Sequence, residues 1–542
     1  MTTAANQGSA PAPTSVLAWP WFPFVAAIYP LWFIYLYNIG QVSIRSVIAA
    51  SVIAVAVVAA TYLGIVRLTR SRAVAAIGAM ILVVAFYLYG PLHARIVVLS
   101  EASFLPGWLA AVVRAVAAHG VFSALVFAFC VLCIWRVARR YTGDSLRLTG
   151  ALNVGAAALA LLLAWRLGDA IWQDRELENS MRASDHFAGR EMSVLGYNPD
   201  IYYIIVDGYA RADVLRDHYA FDNTPFVSEL TSRGFSVNDH SSANYYWTFL
   251  SLASSLNYDY LQNFAAPMLA DPAVTMGRGG FARVARLLQD NRAAHYLRER
   301  GYRFVHLQSS APETVRNPFA DEQVGCAGRL FDDEYFRTLA EITWVQALGS
   351  LATSDLAECH KLRLKSLGDQ ASQDGPKLVF AHFLPPHHPY LFDHQGNVLK
   401  HVTISNQFDF QARLWEDKKA YVEQLRYVNQ NLLAVIDRIK AESKQPPIII
   451  VQSDHGPNLV GGLSGDEAKR IRFANFAAYL LPGAEPGAIP KDCAPVNQFR
   501  YVFNHYFDAG LPILPNRNFY SSFGTPLEMR EIAPVLTAQE SR

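Results

Sequence analysis

Five apolar stretches crowd into the first third of the chain, at approximately Val16–Tyr37, Val47–Val66, Ala73–Leu92, Ala115–Trp135 and Leu148–Trp165. Each is long enough to cross a hydrocarbon core, which takes roughly 20 helical residues. One such stretch reads equally well as a buried helix of a soluble protein. Five in succession, joined by short connections, read as a membrane bundle. Composition agrees: 52% of the 542 residues are hydrophobic and 17% are charged, against about 25% charged in an ordinary soluble chain. The net charge of +1 offers no basic surface, which argues against a nucleic-acid partner.

The first stretch follows an Ala/Pro/Ser/Thr tail without lysine or arginine. Lacking a basic leader and a small-residue cleavage site, it is expected to be a retained helix. Arg67, Arg70 and Arg72 lie between stretches two and three, and Arg136, Arg139, Arg140 and Arg147 between four and five. The alternate connections carry less, chiefly Arg45, Arg95 and Arg114. The positive-inside rule makes the arginine-rich connections and the N-terminus cytoplasmic, and everything after Trp165 periplasmic or extracellular. A multi-pass protein of the inner (cytoplasmic) membrane is the resulting expectation. The segment Phe104–His119 fits a helix lying at the membrane surface. Counted as a sixth span, it would reverse the placement of the C-terminal domain. The spans hold almost no ionisable residues, which disfavours a transporter.

Residues 1–168 are thus expected to form the anchor and 169–199 a polar connector, with 200–542 a catalytic domain. In this last part Ile201–Gly208, Arg303–Ser309, Lys377–Leu384, Pro447–Asp454 and Phe473–Pro482 are compact β-branched and aromatic runs. Helical patterns alternate with them, notably Phe281–Gly301 and Glu416–Glu442. Near-continuous apolar strands alternating with amphipathic helices predict an α/β domain, a mostly parallel sheet with helices on both faces. Ligands of such sheets gather at the carboxyl ends of the strands. Three of these strands run directly into reactive residues.

Asp207 ends the run YYIIVDG, where Asp-Gly is also an ordinary turn. The segment SDHGP places Asp454 and His455 side by side after a strand, an oxygen and an imidazole nitrogen able to reach one cation. Thr248 opens a Leu- and Ser-rich helical stretch within Ser241–Asn257, where a hydroxyl is either an N-cap or a nucleophile in a field that favours negative charge. HFLPPHHPY, His382–Tyr390, holds His387 and His388 in a proline-fixed loop suited to proton transfer.

The ordered set of strand-Asp-Gly, Thr about forty residues on, His-x-Pro-Tyr and Ser-Asp-His-Gly resembles the alkaline-phosphatase and sulfatase superfamily. Its best match there is the membrane-anchored branch of lipoteichoic acid synthases and phosphoethanolamine transferases. The similarity runs from about Pro199 to Phe523, and the late segment Phe499–Tyr520 looks like that branch's C-terminal region. The resemblance implies an alkaline-phosphatase-like fold with a five-helix anchor. It also implies one divalent metal ion (Mn, Mg or Zn) held by Asp207, Thr248, Asp454 and His455. Thr248 is then the nucleophile and His387 the catalytic histidine, with His388, His382 and Asn244 binding substrate. No Cys/Ser-x-Pro-x-Arg surrounds Thr248, which disfavours formylglycine chemistry. No convincing Asp-x-x-x-His set marks a second metal, although His382 is available.

The function so implied is transfer of a phosphoglycerol or phosphoethanolamine headgroup from a phospholipid donor to an envelope glycan or lipid acceptor, through a phospho-threonine. A membrane-anchored phosphodiesterase or sulfuric ester hydrolase is the alternative within the enzyme class, and an inactive envelope scaffold the alternative outside it. Cys130 and Cys133 lie in an apolar helix and read as packing residues. Cys326 and Cys359 are free to pair if the domain reaches an oxidising compartment.

Overall fold

A computed structural model of the chain describes residues 19–37, 42, 44–100, 105–140, 146–184, 198–270, 279–326, 334–345, 349–399, 414–459, 461, 463–485, 487–522 and 524–533. It divides into two compact units: Met1–Tyr37, Ser43–Glu176 and Leu339–Ala347 in one, the remainder in the other.

The first unit holds helices α1 (Phe22–Tyr37), α2 (Ile44–Thr69), α3 (Arg72–Ser100), α4 (Gly107–Ala117), α5 (His119–Arg140) and α6 (Leu146–Ser184). Among the described residues four of them, α2, α3, α5 and most of α6, are long and apolar enough to cross a membrane. The expected five therefore become four. The first expected span starts at Val16, outside the described residues, and α1 covers 16 residues with Pro30 inside it. That is about 24 Å of helix against a core of roughly 30 Å. The surface segment forms α4, whose 11 residues reach about half that thickness. The last helix runs on to Ser184, through the start of the segment read as a connector. Buried Asn153 ties α6 to the entry of α1, donating to the Trp19 carbonyl at 2.7 Å and accepting from Phe22 N–H at 3.2 Å. Residues 339–345 belong to the same unit, where Trp344 stacks on Tyr89 at 5.3 Å and donates to Ser123 Oγ.

In the second unit seven strands form one sheet: β1 (Ile201–Val206), β2 (Ser236–Asn238), β3 (Arg303–Leu307), β4 (Glu322–Val324), β5 (Lys377–Phe383), β6 (Ile448–Gln452) and β7 (Ala477–Leu480). Their order is β2-β7-β6-β1-β5-β3-β4. β1, β3, β4, β5 and β6 run parallel, while β7 is antiparallel to β6 and β2 to β7. The sheet is thus mixed at one edge, where the run Phe473–Pro482 enters in the reverse sense. The three-residue edge strands β2 and β4 left no pattern to read in the sequence.

Every residue of β1 is buried. Ile201, Tyr203 and Ile205 point into one core, and Tyr202, Ile204 and Val206 into the other. That alternation is why the strand reads as a continuous apolar run: each face lies under helices. The first core takes α7 (Thr248–Leu256) and α9 (Pro495–Phe507), and the second takes α8 (Lys418–Glu442). The Phe281–Gly301 pattern breaks into two helices at Asp290–Asn291, because the Asn291 side chain accepts from Ala294 N–H and starts a new one.

Candidate metal centre and nucleophile

Strand register brings the two acids together. Ile205 pairs with Gln452, so two residues further along neighbouring parallel strands Asp207 comes level with Asp454. Both chains turn there on glycine. Gly208 has φ +64°, and a Cβ on it would lie 2.6 Å from the Trp415 ring. A Cβ on Gly456 would lie 2.2 Å from the Ile471 carbonyl oxygen. Neither site admits another residue without moving backbone or indole.

Asp454 Oδ1 accepts from Gly208 N–H at 3.1 Å, which leaves Oδ2 facing inward. His455 Nδ1 lies 3.0 Å from the Gly456 carbonyl and donates to it, so Nε2 presents a lone pair. That nitrogen lies 2.9 Å from Asp454 Oδ2, 2.9 Å from Thr248 Oγ1 and 3.8 Å from Asp207 Oδ1. Asp207 Oδ1 and Asp454 Oδ2 are buried with no hydrogen-bond partner. Buried oxygens without donors are costly unless a cation lies between them. One ligand atom each from Asp207, Asp454 and His455 lies within 4.8 Å of the others. The donor set of two carboxylate oxygens, an imidazole nitrogen and a hydroxyl suits a divalent cation.

Thr248 begins α7 without capping it: its hydroxyl turns to His455, and Trp247 holds the N-cap position without a capping bond, its indole N–H donating to the Ser521 carbonyl instead. The helix is fixed to the Asp454 turn by Ser251 Oγ, which donates to the Asp454 carbonyl at 2.8 Å. Burial, and then the nearby Asp454 charge, push Asp207 up to about 7. Burial also pushes on Asp454, but the neighbouring His455 and His382 imidazoles outweigh it and hold that carboxyl below the usual range. Two acids this close cannot both carry charge freely without a cation.

His387 and His388 follow β5, their rings 4.0 Å apart. His387 N–H donates to the Asp207 carbonyl at 3.2 Å, which ties the loop to the β1 turn. His387 Nδ1 lies 2.5 Å from the His388 carbonyl and donates to it, and Gln424 Nε2 donates to the His387 carbonyl at 2.9 Å. Trp415 closes against both rings. His387 is half-buried, whereas His388 is 4% exposed with Nε2 unpartnered. Burial lowers both, His388 the more strongly. His382 Nδ1 is 2.7 Å from Thr314 Oγ1, and its Nε2, otherwise unpartnered, lies 3.4 Å from Asp207 Oδ2.

Asn244 is not brought to this cluster. Its Nδ2 donates to the Arg517 carbonyl and the Tyr260 hydroxyl, and its Oδ1 accepts from Val496 N–H. That amide holds the C-terminal segment in place and is spent on scaffolding.

Two residues at the site escaped the sequence reading. Arg472 is buried in the last turn of the helix Gly465–Phe473, and its Nη2 lies 2.7 Å from His455 Nε2. It is steadied by the Tyr246 and Gly456 carbonyls. In the sequence it sits in AKRIRF, indistinguishable from a solvated helix face. Glu313 lies in the short turn Pro312–Thr314 after β3, and its electrostatic neighbours are His382, Asp207 and Asp454. A signal for it existed: β3 is a fourth strand whose carboxyl end opens on the same edge of the sheet.

No curated protein matches the chain. Among solved structures, the C-terminal periplasmic domain of EptC from Escherichia coli in complex with Zn matches at 13% identity and a TM-score of 0.39, over 60% of this chain and 90% of that one. The corresponding domain of phosphoethanolamine transferase EptC from Campylobacter jejuni matches at 13% identity and 0.36, over 57% and 90%. Phosphonate monoester hydrolase of Agrobacterium radiobacter matches at 13% identity and 0.37, over 59% and 80%. The sulfatase family model matches residues 199–500 and so spans the whole of the seven-stranded sheet and the candidate metal ligands. The chain belongs to the sulfatase family of enzymes.

Proposed function

We propose that this enzyme transfers a phospho-headgroup from a phospholipid to an envelope acceptor, with Thr248 as nucleophile. One observation carries the reading. The half-buried Thr248 hydroxyl meets the lone pair of His455 beside two buried carboxylate oxygens that have no donors.

Asp207, Asp454, His455 and Thr248 would hold one divalent ion. When bound, such an ion lowers the pKa of the hydroxyl and offsets charge on the phosphoryl oxygens. Thr248 Oγ1 bonds to phosphorus as the bond from phosphorus to the diacylglycerol oxygen breaks. The hydroxyl proton passes to Nε2 of His387, whose ring stands on the rim of the site, and from there to the leaving diacylglycerol oxygen. The headgroup remains on Thr248 as a phosphodiester. An acceptor hydroxyl then reverses the sequence: its oxygen bonds to phosphorus as the bond from phosphorus to Thr248 Oγ1 breaks, and its proton passes through His387 to Oγ1, which restores the threonine hydroxyl. Arg472 faces negative charge that builds on the phosphoryl group.

Placement of the catalytic domain outside the cytoplasm is supported by α6. With the arginines before it on the cytoplasmic side, α6 leads outward whether or not α1 crosses, and α1 decides only the side of the N-terminus. Cys326 and Cys359 form a disulfide, a bond of oxidising compartments, which supports the same placement.

The test is intact mass of the purified full chain, loaded with Mn or Zn, after incubation with vesicles of phosphatidylethanolamine and phosphatidylglycerol. A headgroup adduct that maps to Thr248 and is absent from Thr248→Ala is the expected result. Headgroup release with no adduct and no acceptor product would mean hydrolysis. Neither adduct nor turnover in the metal-loaded protein would sink the reading.

A further inference from the structure

Strand register sets the backbone of Asp207 but not the rotation of its carboxylate. His382 stands on β5 opposite Ile205, and Asp207 N–H donates to the Phe383 carbonyl at 2.9 Å, so the β1–β5 ladder holds the imidazole beside the acid. The ring is 2% exposed and offers no face to a substrate. Its Nε2, with no hydrogen-bond partner among the described residues, lies 3.4 Å from Asp207 Oδ2, while Oδ1 of the same carboxylate turns to His455. At the other edge of the ring, Nδ1 lies 2.7 Å from the Thr314 hydroxyl.

Thr314 is fully buried in the turn after β3, and both of its backbone groups are engaged. Its N–H donates to the Ala311 carbonyl at 3.1 Å. Its carbonyl accepts from Ser309 N–H at 3.0 Å and from His306 Nε2 at 2.8 Å. Those three bonds fix the backbone that aims the hydroxyl at His382.

The chemistry of the three groups allows one arrangement. A neutral imidazole carries one N–H and one lone pair. With the proton on Nδ1, the Nε2 lone pair would face a carboxylate oxygen, two buried acceptors with no hydrogen between them. With the proton on Nε2, that N–H donates to Asp207 Oδ2, and Nδ1 accepts from Thr314. A hydroxyl can donate or accept, and here donation selects the useful tautomer.

We infer that Thr314 is a positioning residue for the cation site: its hydroxyl fixes the tautomer of His382, whose Nε2–H holds Asp207 Oδ2 and leaves Oδ1 for the ion. This rests on the one-cation reading of the site and adds two residues that act through Asp207. Loss of a supporting hydrogen bond of this kind costs roughly ten- to a hundredfold in metal affinity.

The test is the Mn affinity of the metal-stripped full chain, read by electron paramagnetic resonance, in two variants that separate hydroxyl from methyl. Thr314→Val keeps the branched shape and removes the hydroxyl, whereas Thr314→Ser keeps the hydroxyl and removes the methyl. Thr314→Val should weaken Mn binding by about tenfold or more, and Thr314→Ser should stay within about threefold of wild type. A packing role predicts the reverse order. In a His382→Leu chain, itself weaker for Mn, Thr314→Val should add nothing, because the hydroxyl acts through the ring. Thermal unfolding of each metal-free variant shows that the fold persists. Unchanged Mn binding in Thr314→Val, an equal loss in Thr314→Ser, or a further loss in the His382→Leu chain overturns the role of Thr314 and leaves the cation site standing. A wild type that binds no Mn overturns the cation reading and this inference with it.

Discussion

At the floor of the site Asp207, Asp454 and His455 are at most 3% exposed, each within three residues of the end of a central strand, whereas on its rim Thr248, His387 and Glu313 are half-buried on a helix start and two loops. The floor is fixed by register and by glycine turns that tolerate no side chain. The rim is fixed by side-chain bonds, such as Gln424 to the His387 carbonyl. The difference separates two tasks. Groups that must give up hydration to hold a cation belong where the backbone places them. Groups that must touch a changing substrate belong where solvent still reaches.

Removing the proposed nucleophile should test this division most severely. Thr248→Ala should lower headgroup transfer by at least about a thousandfold in single-turnover rate while the protein still binds a divalent ion, since the floor survives. Loss of the metal along with the activity would mean that floor and rim are one unit. His387→Gln should cost about a hundredfold or more in transfer rate, with metal content unchanged. Arg472→Lys keeps the charge but loses the fork that grips the Tyr246 and Gly456 carbonyls, and a loss of about tenfold is expected. Rates equal to wild type in that variant would confine Arg472 to packing.

The smallest effect is a matter of sign in the metal-free protein. Asp207 stands at about 7 when folded against 3.8 as its ordinary value. A folded acid that holds its proton longer than the unfolded one adds stability at low pH and loses it as pH rises through that window. Buried His306 and His360, lowered to about 4 and about 3, act in the opposite sense below their ordinary value. The contrast between wild type and Asp207→Asn isolates the acid. The melting temperature of metal-free wild type relative to the variant should fall between about pH 4 and pH 7, and saturating Mn should erase the fall. A difference that does not vary with pH would mean Asp207 ionises normally.

Much of the floor was legible because its residues follow directly from period-two strands in one dimension: IYYIIVDG and PIIIVQSDHG name both the strand and the ligand at its end. Thr248 was legible as a helix start, although only the fold turns its hydroxyl to His455 rather than to its own backbone. Arg472 and Glu313 were not read, because a burial event decides their roles. Arg472 looks like any helix-face arginine until Tyr246 and Gly456 close around it. Asn244 misled for the converse reason: an amide beside the nucleophile segment is spent on Val496 and Arg517, partners some 250 residues away. In the anchor, hydropathy located the helices but not their ends, since α6 keeps its hydrogen bonds far past the apolar run and ends only at Ser184.

The central claim is that four side chains from distant parts of the chain hold one cation. Titration of the purified, metal-stripped full chain with Mn, followed by electron paramagnetic resonance, tests it directly. One tightly held ion per chain in wild type, lost in Asp454→Ala and in Asp207→Ala, is the result predicted here. A wild type that binds no ion, or an Asp454→Ala chain that binds it unchanged, would contradict it.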